Sequence, residues 1–85
     1  SNNIINNIPF AKGINAADSY LEIEEVKDWN SFADSWNINS DLNEITVDSA
    51  VLIKGGRPVT ITDLRAGDQL YILRDGAKGI FVIVE

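Results

Sequence analysis

VTITDLRAGDQLYIL, residues 59–73, is the stretch on which the reading of the whole chain turns. Val59 and Ile61 alternate with Thr60 and Thr62, and Leu70 and Ile72 alternate with Gln69, Tyr71 and Leu73, which is the two-residue period of pleated strands. Between the two runs, Thr62 or Asp63 offers a side-chain oxygen to the free backbone N–H groups of a short helical turn. Gly67 supplies the positive φ that ends the turn, and Asp68 is the turn residue after it. Leu64 is the apolar anchor of this connection. The stretch predicts strand, one-turn plug and strand, the corner of a small barrel, with Thr62, Asp63, Leu64, Gly67 and Asp68 in structural rather than chemical roles.

The same period recurs on both sides of the corner. Val51 to Ile53 starts a short strand that meets Gly55-Gly56, so Ile53 and Val59 flank a glycine-rich hairpin. After Leu73, Asp75-Gly76 is a turn signal, and Ile80 to Val84 (IFVIV) is apolar at every position. Such a strand is buried on both faces, or its outer face meets another domain or subunit. Upstream, Trp36 and Ile38 on one side and Ile45 and Val47 on the other flank Ser40-Asp41-Leu42-Asn43, which reads as a hairpin. In Tyr20 to Trp29 the alternation slips across Glu24-Glu25, where a β-bulge restores it and is preferred over a helix.

Residues 1–17 are rich in Asn and carry Pro9 and Gly13 without a clean period. They are read as a linker or loosely attached arm, although Ile4, Ile5, Ile8 and Phe10 are apolar enough to lay an extended edge against the barrel. Ser1-Asn2 looks like a remnant of tag removal, and the chain is expected to be an excised domain. The expected fold is all-β: a small, mainly antiparallel barrel of roughly five to six strands over residues 18–85, OB-like or SH3-like, with no helix longer than a turn.

Composition narrows the chemistry. Eighty-five residues allow one modest core, and seven basic against 13 acidic residues give a net charge of −6. That balance argues against a nucleic-acid partner, which is held mainly by clustered Lys and Arg. The chain has no Cys and no His. Disulfides, thiolate nucleophiles and Ser-His-Asp arrangements are therefore excluded, and the commonest zinc ligands are missing. No apolar run is long enough for a membrane-spanning helix, and direct membrane insertion is not expected.

The run from Ile45 through Asp48-Ser49 to Ile53, a glycine turn, and Val59 through Leu64-Arg65-Ala66-Gly67-Asp68 to Ile72 resembles small β-barrel domains of exported Gram-positive cell-surface proteins. Domains of the DUF5666 type and accessory modules beside copper-amine-oxidase-like stalk domains share its strand ending in Asp-Ser or Asp-Thr and its Leu-x-x-Gly-Asp corner. The likeness covers about residues 44–84. It implies an exported, non-catalytic β module, extracellular or in the cell envelope, and carries over no catalytic residue.

Two side-chain constellations stand beside that reading. Asn37, Asn39, Asp41 and Asn43 place oxygen atoms at every second position, with Asp48 further on, in the manner of a calcium loop. Leu42 stands where such a loop needs Gly, and an Asn-rich turn is the preferred reading. Trp29, Phe32 and Trp36 lie close together, suited to gripping a protein or a cell-wall glycan. Core packing is the preferred reading, with one Trp expected to plug the barrel, and exposure of the other as a binding platform is the lesser alternative. Carboxylates such as Glu22, Glu24, Glu25, Asp28, Asp63 and Asp68 are read as solvated or capping rather than catalytic. The expected function is a spacer or interaction module without catalytic residues, metal or cofactor. The alternative is a glycan- or calcium-binding module using Trp29 to Asn43.

Overall fold

The computed structural model describes residues 4–85. Its strands are β1 (Ile4–Asn15), β2 (Tyr20–Asn30), β3 (Ser35–Ile38), β4 (Glu44–Thr46), β5 (Val51–Lys54), β6 (Arg57–Val59), β7 (Leu70–Asp75) and β8 (Lys78–Val84), with one 3₁₀ turn at Ile61–Asp63. β2 pairs with β1 and β4, β4 pairs in parallel with β8, β8 pairs with β7, and β7 returns to β1. These pairings close a five-strand mixed barrel, so the expected all-β barrel without a long helix is the fold of this chain. β3 extends the sheet beside β2, and β5 and β6 extend it beside β8.

Closure passes through the narrow contact of β4 with β8. The Thr46 N–H donates to the Ala77 carbonyl oxygen at 2.8 Å. A Cβ on Gly79 would lie 3.0 Å from Ile45 Cγ2, so the glycine lets the two strands approach. The interior is aliphatic: Leu21, Ile45, Leu70, Ile72 and Val82 are fully buried, with Ile23, Val26, Val47, Leu52 and Leu64 around them.

The turn of the 59–73 corner begins at least two residues earlier than its sequence suggests. β6 ends at Val59, Thr60 is the N-cap and the 3₁₀ turn follows. The Asp63 carboxylate accepts the Thr60 N–H at 3.0 Å, and the Asp68 carboxylate accepts the Arg65 N–H at 2.8 Å. The Thr62 hydroxyl meets the Thr60 hydroxyl at 2.8 Å and caps no backbone N–H, while the Thr62 carbonyl accepts Arg65 Nη1 at 2.7 Å. Leu64 points into the core, and Gly67 has φ +96°. The corner is fastened to β1 by a reciprocal backbone pair, Ala11 N–H to Asp68 O at 2.8 Å and Gly67 N–H to Ala11 O at 2.7 Å.

β1 corrects the expectation of a linker or arm over residues 1–17, of which 1–3 lie outside the described residues. It sits between β2 and β7, and the boundary expected before residue 18 falls in the β1–β2 turn. Its inward positions are Asn7, Pro9 and Ala11, polar or small, while Ile4, Ile5, Ile8 and Phe10 stay wholly or partly exposed. Pro9 lies at a register shift, where a missing N–H does not break the ladder. The expected bulge in β2 is present, with Glu25 at φ +53° and the pairing slipping between Ile8–Lys27 and Phe10–Glu24.

The hairpin expected between Ile38 and Ile45 does not form. β3 and β4 both run antiparallel to β2, with Ile38 opposite Lys27 and Glu44 opposite Glu22. Residues 39–43 bow outward beside the β2 bulge instead of reversing the chain. Asn39 shapes the bow: its Oδ1 accepts the N–H groups of Asp41 and Leu42 at 3.1 and 3.2 Å. The reversal lies earlier, between β2 and β3, where Asn30 Oδ1 accepts from Phe32 and Ala33.

Candidate functional site

The β2–β3 hairpin gathers the three aromatic residues singled out in the sequence. Trp29 is opposite Trp36, and the rings meet edge to face with centroids 5.3 Å apart and planes at 64°. Neither ring plugs the barrel, contrary to expectation: Trp29 is half-buried and Trp36 is 39% exposed. The aliphatic side chains already fill the interior, so the tryptophans pack on each other along the hairpin. Phe32, at the hairpin tip, is 99% exposed, and Ile38, one pleat along from Trp36, is 79% exposed. An apolar face of this kind contributes nothing to the core and costs solubility.

Beneath the hairpin lies a polar cluster that the sequence did not point out. The Asp28 carboxylate of β2 receives Asn7 Nδ2 at 2.7 Å from β1, Asn39 Nδ2 at 2.7 Å from the bow after β3, and Arg74 Nη2 at 2.6 Å from β7. Arg74 is buried and also donates to the Gly76 carbonyl at 2.8 Å. Partial burial raises the Asp28 pKa, but the hydrogen bonds from Arg74, Asn7 and Asn39 and the guanidinium charge outweigh it and hold the carboxyl below its ordinary value. The fully buried Asn7 leaves its Oδ1 without a partner. This cluster ties three strands and the base of the hairpin together, and its carboxylate is wholly engaged by donors. It has the chemistry of a clamp. Asn at an inward strand position and Arg in an apolar strand were the signals available for it.

The calcium pattern comes apart in three dimensions. Asn39 directs its oxygen into its own turn and its amide to Asp28, and Asn37 Oδ1 faces the Ser35 hydroxyl at 3.3 Å. Among the described residues, no three of His, Cys, Asp and Glu are grouped as metal ligands. Asp63 and Asp68 are occupied as backbone acceptors at the corner. A second exposed apolar set, Val51, Phe81 and Ile83, lies on the outside of β5 and β8, where Val51 is opposite Phe81. IFVIV is thus buried on one face at Val82 and open on the other. No protein-family model, curated protein or solved structure matches this chain, so the hairpin is interpreted on its own geometry.

Proposed function

We propose that the domain is a non-catalytic interaction module of an exported or cell-envelope bacterial protein, contacting another protein through the β2–β3 hairpin. The observation that carries this reading is the open apolar face of Phe32, Trp36 and Ile38 on a hairpin anchored by the Asp28 cluster. Large apolar side chains that the core does not use are characteristic of contact surfaces. Edge-to-face packing of Trp29 on Trp36 favours a protein partner over a sugar, because one ring lends a face to the other instead of leaving two flat stacking platforms. The exported setting rests on the resemblance of residues 44–84.

Thermal unfolding with millimolar calcium and with a panel of cell-wall glycans tests the reading. The expected result is an unchanged midpoint with each. An upward shift, which reports preferential binding to the native state, would contradict it if Trp36→Ala abolished the shift.

A further inference from the structure

We propose that the free edge of β3 takes up an extended polypeptide strand bearing Lys or Arg, adding it to the sheet beside Ser35–Ile38. The proposal rests on the reading of the hairpin as an interaction surface and specifies how the partner is held. β3 pairs with β2 on one side and, among the described residues, with no strand on the other. The Asn39 N–H points to β2, donating to Val26 O at 2.9 Å. By the alternation of an antiparallel ladder, the N–H and C=O groups of Asn37 also face β2, and those of Trp36 and Ile38 face outward. The close ring approach of Trp29 and Trp36 fits a non-hydrogen-bonded pair, as this phase requires.

The other edge of the sheet is guarded. β6 is three residues long and contains Pro58. Lys54 and Arg57 close a hairpin over Gly55-Gly56, so Pro58 is in the outward phase, with no N–H to offer. β3 has neither proline nor charge in Ser-Trp-Asn-Ile, the condition in which an edge accepts another strand.

Charge selects the occupant. From Asp28 to Ile53 the chain carries Asp28, Asp34, Asp41, Glu44 and Asp48 and no Lys or Arg. Asp28 is neutralised by Arg74, Asp34, Asp41 and Glu44 are exposed around the hairpin and the bow against the single cation Lys27 opposite Ile38, and Asp48 lies at the far end of β2. A second copy of β3 would bring the same carboxylates against these, whereas a strand with basic side chains complements them. Its apolar residues would meet Trp36 and Ile38.

The test titrates the intact domain with a short capped peptide of alternating valine and lysine, its glutamate counterpart, and the lysine peptide N-methylated at every residue. The lysine peptide is expected to bind at least about tenfold more tightly than either control, and to slow amide exchange at Trp36 and Ile38. Ile38→Pro, which removes one outward N–H, should abolish binding, whereas Ile38→Thr, which keeps it, should not; the melting curve confirms that each variant is folded. Binding indifferent to N-methylation and to Ile38→Pro, but lost in Phe32→Ser, would overturn strand addition and leave the interaction surface standing. No binding of the lysine peptide, equal binding of the glutamate peptide, or a peptide-free dimer that protects the same two amides would also overturn the proposal.

Discussion

At Gly67 the backbone, not the space, forbids a side chain. Its φ is +96°, and nothing lies within 4 Å of where a Cβ would stand. Gly67→Val is expected to cost at least about 1 kcal/mol through backbone strain, and an unchanged melting curve would contradict the corner geometry. Leu64 is 2% exposed, and Leu64→Ala should cost about 2 to 4 kcal/mol by thermal or denaturant unfolding. Phe32→Ser should stay within about 0.5 kcal/mol of the parent chain, because the ring touches no core. Asp28→Asn removes the charge that faces buried Arg74 and should cost about 1 to 3 kcal/mol at neutral pH. The folded Asp28 carboxyl is held below its ordinary value, so its stabilisation is complete above about pH 4 and is lost as pH falls through the lower, folded value. The stability gap between parent and Asp28→Asn should therefore narrow in acid; a gap constant down to strongly acidic pH would contradict the clamp.

β1 separates what the sequence discloses at the level of elements from what it hides. The corner, the β7–β8 turn and the β2 bulge were legible because side-chain alternation and turn chemistry point the same way there. In β1 they conflict. Its inward residues are Asn7, Pro9 and Ala11, and Asn7 is tolerable inside only because Asp28, far along the chain, accepts its amide. A binary pattern cannot show that. The bow at residues 39–43 misleads for the opposite reason, since its Asx chemistry is that of a reversal while the β2 bulge opposite it keeps the chain moving forward. The aromatic trio was legible as a cluster along the chain, but neither its common hairpin nor its exposure was, because the pairing depends on the β2–β3 reversal and burial on the aliphatic residues that fill the barrel first. Deleting residues 1–15 should abolish cooperative thermal unfolding, as the loss leaves β2, β7 and the corner without their shared partner. A fragment of 16–85 that still melts cooperatively would restore the arm reading.

As a whole, the molecule is a closed barrel filled by aliphatic side chains, with one sheet edge guarded by Pro58 and the other left open on an aromatic hairpin. The barrel supplies rigidity, the Asp28 cluster fixes the hairpin to it, and the open edge carries the proposed function. Residue-resolved amide hydrogen exchange of the free domain tests this division most directly. Slow exchange is expected at Ala11 and along β1, comparable with β7 and β8, and an alternation in β3 with Asn37 protected and Trp36 and Ile38 exchanging fast. Fast exchange throughout β1, or protection of Trp36 and Ile38 in the monomer, would contradict that division.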